Sequence, residues 1–180
     1  MAAAHARRCR PWLVLMLLQV VLLLACSGAG AADDENLTHL RFYFHEVRTG
    51  APNETSVLVA SLNRNGTTFG DLKVFDNALR EGEDPSSLLI GRARGLGVVA
   101  SLDNSGALTT IEFVFSDYGV YTGSTLATVG HFIMTDTAER SIVGGTGVLR
   151  FARGYFTTDI IVFTDVYLVA LIDMYFTTAL

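Results

Sequence analysis

Ser141 to Phe156 reads SIVGGTGVLRFARGYF, and its four glycines decide what kind of protein this is. A Walker-type phosphate loop needs a lysine after its glycines, then a hydroxyl for magnesium. Here Gly147 is followed by Val148, Leu149 and Arg150. A dinucleotide fingerprint needs a helix after its glycines, but Val148-Leu149-Arg150-Phe151 is a β-forming run. The stretch therefore reads as a tight connection. Ile142 and Val143 end one segment, Gly144 and Gly145 supply positive φ, and Val148 opens the next strand. Alternation then sets Leu149, Phe151, Arg153 and Tyr155 on one face. Arg153 either covers apolar surface with its stem or offers its guanidinium to a ligand.

Outward from this stretch the chain is β throughout. Strands are predicted at Leu40–Val47, Val57–Leu62, Leu72–Phe75, Leu89–Leu102, Leu108–Ser116, Thr125–Met134, Val148–Phe156 and Asp159–Ile172. Clusters such as Asn63-Arg64-Asn65-Gly66 and Asp103-Asn104-Ser105-Gly106 supply turns between them. No helix and no internal repeat is predicted after the N-terminal leader. Many short strands with polar turns point to a sandwich or a barrel. In Asp159–Ile172 both faces are apolar, which asks for a second cover outside the sheet, most simply another subunit.

The N-terminus has the layout of a secretory signal peptide over residues 1–31. Arg7, Arg8 and Arg10 precede an apolar run from Trp12 to Ala25, and Ala29-Gly30-Ala31 offers a small-residue cleavage site. The run is short for a bilayer-spanning anchor. Cleavage after Ala31 leaves a polar segment, 32–39, and one domain, 40–180. It also leaves 10 Lys+Arg against 18 Asp+Glu, with no basic footprint for nucleic acid. Both cysteines, Cys9 and Cys26, lie in the leader, so the mature chain has no disulfide, thiol nucleophile or cysteine metal site. Sequons at Asn36, Asn53 and Asn65 agree with export. His39, His45 and His131 have no metal-ligand spacing, and no G-x-S-x-G elbow surrounds a serine.

Five ordered blocks carry a resemblance. VGGTGVLRFARGYF (Val143–Phe156) resembles the plant dirigent family pattern V-V-G-G-T-G-x-F-R-x-A-R-G-Y. FYFHE (Phe42–Glu46) is similar to that family's F-Y-x-H-D, and FGDLKVFDNALREG (Phe69–Gly82) to F-G-x-x-x-V-x-D-x-x-L. IGRARG (Ile90–Gly95) and FVFSDYGVYTGSTLATVG (Phe113–Gly130) complete the set. The resemblance implies an all-β fold, an eight-stranded antiparallel β-barrel of the allene-oxide-cyclase and lipocalin-like kind. It implies a homo-oligomer, a trimer or else a dimer, secreted to the apoplast and cell wall space. It implies no cofactor and no oxidative centre. Its partners would be phenolic radicals supplied by a laccase or peroxidase, whose coupling to lignans it steers. Some relatives carry out cyclisation or dehydration instead.

Directing two flat aromatics is positional work, and it needs an apolar container with a few polar groups. Candidate substrate-binding residues are Phe42, Phe44, Glu46, Asp76, Tyr121, Glu139, Phe151 and Arg153. Glu46, on the strand face of Phe42 and Phe44, is the candidate catalytic acid if burial raises its pKa. Asp76 fits a cavity or a turn, and Tyr121 a ligand contact or the core. Two departures from the family pattern stand out: Glu46 replaces an aspartate, and Arg94 a glutamine. Three functions remain open: a guide for radical coupling, a cyclase or dehydratase using Glu46, and a non-directing wall or defence binding protein.

Overall fold

The computed structural model describes residues 37–62, 68–133 and 137–178. The leader and the sequons at Asn36 and Asn65 lie outside the described residues. Nine strands follow in order: β1 (Thr38–Val47), β2 (Ser56–Ala60), β3 (Leu72–Arg80), β4 (Leu89–Val99), β5 (Ala107–Phe115), β6 (Thr125–Phe132), β7 (Ala138–Gly145), β8 (Arg153–Phe163) and β9 (Tyr167–Thr177). All neighbours are antiparallel, in the order β1-β9-β8-β7-β6-β5-β4-β3-β2. A direct β1–β3 pairing closes eight of these strands into a barrel and leaves β2 as a flap on the edge of β3.

The closing seam is short. Only Tyr43↔Arg80, Phe44↔Leu79 and His45↔Ala78 pair across it. Further along, β2 takes over the edge of β3, beginning at Ser56↔Phe75. Side chains bridge the place where β1 leaves β3. Fully buried Asn77 accepts from the Thr55 hydroxyl and donates through Nδ2 to Glu46 Oε2 at 3.3 Å. The Val47 amide donates to Thr55 Oγ1 at 2.9 Å. A buried amide needs such partners, so the seam positions Glu46.

Strand alternation sends Leu40, Phe42 and Phe44 of β1 inward, with Ile111, Phe113 and Phe115 of β5 and Ile172, Met174 and Phe176 of β9. At one end these rings fill the interior. Phe42 meets Phe113 and Phe115 edge-on, both at 5.8 Å, and Phe113 meets Phe156 at 5.5 Å. Two short 3-10 turns, Gly119–Tyr121 and Gly147–Leu149, close over this end and bring Tyr118, Tyr121 and Leu149 onto the cluster.

The opening stretch proves to be a strand, a turn and a second strand. β7, which residue patterning did not predict, runs into it through Ser141–Gly145. Gly144 and Gly145 do not supply positive φ; that conformation falls on Gly147 (61°) and, unexpectedly, on Phe151 (68°). Gly145 is needed for a different reason, because a Cβ there would collide with the carbonyl oxygens of Leu149 and Thr125. Val148–Phe156 is not one strand, since β8 begins only at Arg153. Asp159–Ile172 is not one strand either: a turn at Thr164–Val166, closed by Thr164 N to Tyr167 O at 2.8 Å, separates β8 from β9. Each of these two strands is apolar on both faces, with Ile161 and Phe163 of β8 exposed. The C-terminal residues Asp173–Thr177 complete β9, where Asp173 binds His39 at 2.7 Å and Arg41 at 2.9 Å.

Candidate functional site: the open half of the barrel

Beyond Phe44 the packed rings stop, and a cavity of about 840 Å³ occupies the other half of the barrel. Its apolar walls include Phe44, Phe75, Ile111, Phe132, Ile160, Phe163, Leu168, Ala170 and Ile172. Arg48 and Thr49 of the β1–β2 connection, Asn104 to Gly106 of the β4–β5 connection and Phe163 at the end of β8 complete the lining. The volume falls within the usual range for small-molecule sites, roughly 300–1,000 Å³. The lining is mostly carbon with a few convergent polar groups, as such sites require.

Two ionisable groups among them stand out, Glu46 and Arg140. Glu46 comes from the end of β1, beside Ser56 and Lys73. Burial raises its carboxyl above the ordinary value, and the opposing pulls of Lys73 and of the Asn77 hydrogen bond do not cancel this. The neutral acid is therefore favoured further up the pH scale than for a free glutamate. Ser56, buried beside this carboxyl, is one of the groups that pull its pKa back down.

The second group is Arg140 on β7, only 5% exposed. Its Nη1 donates to Thr109 Oγ1 at 3.3 Å and its Nη2 to the Thr158 hydroxyl. Its guanidinium lies 4.4 Å from the Phe156 ring centroid and 5.4 Å from that of Phe132. Desolvation lowers its pKa to about 10, which leaves it charged at neutral pH. β7 stands three strands round the ring from β1 by way of β9 and β8, so acid and cation occupy different walls.

The eight sequence candidates separate sharply. Phe44 and Glu46 line the cavity. Phe42 and Tyr121 belong to the packed end instead. Asp76 faces outward from β3, paired with Arg92 at 2.8 Å and Arg94 at 3.5 Å. This outer pairing also accounts for Arg94. Glu139 is exposed, because alternation along β7 sends Ala138, Arg140 and Ile142 inward. Phe151 is exposed in the turn before β8, and Arg153 is exposed with Nη1 on the Ala152 carbonyl at 2.7 Å. The single face drawn through Phe151 and Arg153 fails because the backbone there turns before it extends. Asn53 is exposed in the β1–β2 connection.

Arg140 is the principal residue that patterning missed. Glu139, Arg140 and Ser141 are three consecutive polar residues, so no apolar alternation marks the strand that carries it. Lys73, Thr109 and Thr158 were missed as well, each an inward polar residue on a predominantly apolar face.

The barrel is antiparallel and closed, packed with rings at one end and hollow at the other, with an acid and a cation set into an apolar wall. Residues 37–177 match the dirigent-like protein family, and the chain belongs to it. It is 41% identical over 128 residues to pterocarpan synthase 1 of Glycyrrhiza echinata, covering 68% of this chain and 67% of that protein. It is 38% identical over 155 residues to dirigent protein 1 of Arabidopsis thaliana, covering 79% and 84% respectively. A solved pterocarpan synthase dirigent protein superposes with a TM-score of 0.72 at 33% identity, over 82% of this chain and 87% of that one.

Proposed function

We propose that this protein is secreted to the cell wall space and takes a phenolic benzylic alcohol into its cavity. There Glu46 acts as general acid for stereodirected loss of water. The observation that carries the reading is a carboxyl with a raised pKa facing an apolar cavity beside a buried serine hydroxyl. The neutral acid gives its proton to the benzylic hydroxyl, the carbon–oxygen bond breaks, and water leaves. The ring hydroxyl gives up its proton to the Glu46 carboxylate, and a neutral quinone methide results. A second hydroxyl of the same molecule adds to the methide carbon, closing a ring. Its proton restores the phenol, directly or through Glu46, and the acid ends as it began. No electron is gained or lost. The walls hold the two ends so that one face of the methide is attacked, and tenfold selectivity needs only about 1.4 kcal/mol.

A second reading, guidance of radical coupling to lignans, draws support from the size of the cavity, which has room for two phenylpropanoid rings. The two readings part on oxidant. Wild-type protein incubated with a hydroxylated isoflavan alcohol and no oxidase is expected to release a single enantiomer of the cyclised ether. Glu46→Gln is expected to lose this turnover. Turnover equal in wild type and Glu46→Gln would sink the acid role. If no closed-shell substrate reacts, yet a laccase with coniferyl alcohol gives a handed product only when the protein is present, the coupling reading replaces it. A homo-oligomer is part of the proposal. Val57, Val74 and Leu96 form an outward row in register across β2, β3 and β4, exposed by 38%, 41% and 38%, and light scattering of the secreted chain checks it.

A further inference from the structure

We propose that the ligand of this cavity carries a carboxylate held by Arg140, so that a phenol bearing a carboxylate is preferred over the matching neutral alcohol. The inference rests on the cavity being a phenol site and narrows its substrate class.

A guanidinium has five N–H donors. In Arg140 two of them meet hydroxyls, those of Thr109 and Thr158, and among the described residues Nε meets no acceptor. Thr109 passes its own hydroxyl proton to the Gly130 carbonyl at 3.1 Å, which fixes it as an acceptor towards the arginine. Phe156 and Phe132 lie against the group and the threonines tether it, so it is held in place with its Nε edge unsatisfied. Among the described residues no carboxylate meets Arg140. A buried cation without a counter-charge is expensive. A site that completes itself with an anion removes that expense when the ligand arrives.

The geometry favours a carboxylate over a phenol. Two oxygens in one plane match a guanidinium edge. An ordinary phenol ionises near pH 10 and a carboxylic acid near pH 4, so only the acid brings a full charge at neutral pH. The remaining lining agrees in sign. Arg48 and Lys73 add two cations to the wall. Against these three cations stand two acids, Glu46 and Asp71, with Asp71 committed to the Thr68 amide at 2.9 Å and the Thr68 hydroxyl at 3.0 Å, and the balance stays positive even with both ionised. The interior is therefore positive in a chain whose net charge is −5. Average composition would put acids there, and the fold has put cations there instead.

The test is calorimetric titration of the secreted chain with ferulate and with coniferyl alcohol, which share one skeleton and differ at the carboxylate. Ferulate is expected to bind at least tenfold more tightly at pH 6. The ratio should fall towards one in Arg140→Gln and shrink severalfold in Lys73→Gln. 4-Methoxycinnamate, which lacks the phenolic hydroxyl, should keep the advantage over 4-methoxycinnamyl alcohol. Equal binding, tighter binding of the alcohol, no binding of ferulate, or an advantage that vanishes with the phenolic hydroxyl each overturns the proposal. Should Arg140→Gln fail to fold, the wild-type ratios and Lys73→Gln still decide. Binding is read without turnover, so failure of the dehydration assay leaves this inference standing. Turnover of neutral alcohols with no preference for the acid would do the reverse.

Discussion

The two ends of the barrel are built from the same alternation and put to opposite uses. At the closed end inward positions carry mostly large rings and aliphatic chains, and Phe42, Phe113, Phe115, Phe156, Met174 and Phe176 are at most 1% exposed. At the open end inward positions carry Gly97, Ala107, Thr109, Thr158 and Ala170 among larger groups. Smaller side chains leave the hollow, and the polar ones give it direction. The lesson is that stability and recognition divide along the barrel axis. The closed end stabilises the fold by excluding water from rings. The open end gives up part of that burial and holds a carboxyl and a guanidinium where water is scarce.

Substitutions at the two ends can break or sharpen this contrast. The largest effect is expected for Glu46→Gln, with catalysis falling by about 10²- to 10⁴-fold, the usual contribution of a general acid. Its melting temperature should equal or exceed that of the wild type, as read by single-turnover assay and thermal melt. At the other end, Phe113→Ala removes a fully buried ring and is expected to destabilise by about 3–5 kcal/mol in urea unfolding. The protein that stays folded should still bind ligand. A comparable ligand defect would show that the two ends are not separate.

Filling the hollow gives the converse. Ala170→Leu adds volume to the cavity wall and is expected to weaken ligand binding at least tenfold, with stability held within about 1.5 kcal/mol. The pH dependence follows from the raised pKa of Glu46. Between the unfolded and folded values the folded state holds more protons, so stability falls as pH rises through that window. Catalysis by the neutral acid is fully present below the folded value and is lost above it. Glu46→Gln should flatten that part of the stability profile, checked by urea unfolding across pH. The smallest effect belongs outside the barrel. Asp76→Ala removes the exposed pairs with Arg92 and Arg94 and is expected to change stability by at most about 1 kcal/mol. Ligand affinity should not change.

Much of the fold was legible in the residues. Eight of the nine strands had at least part of their span predicted, and the inward placement of Phe42, Phe44 and Glu46 followed from spacing alone. The strand that was missed, β7, cost the most, because it carries Arg140. Ala138-Glu139-Arg140-Ser141 is too polar to announce a strand by hydrophobicity. Its inward arginine is tolerated only because Thr109 and Thr158 on two other strands offer hydroxyls and Phe132 and Phe156 offer ring faces. No local pattern encodes partners that lie so far away along the chain. Tyr121 and Phe42 looked like ligand contacts for a related reason. Periodicity reports which way a side chain faces, never how far along the axis the packing stops.

By itself, the order of residues determined a β chain, turns between its strands and an acid on an apolar strand face, because these depend on near neighbours and on a period of two. Only the closed tertiary structure decided that three pairs across β1 and β3 seal the ring. It alone decided that rings crowd one end and spare the other, and that an arginine stands buried without a carboxylate beside a hollow. Those outcomes depend on which side chains meet after the sheet has curled on itself. The distances that govern packing and desolvation exist only then.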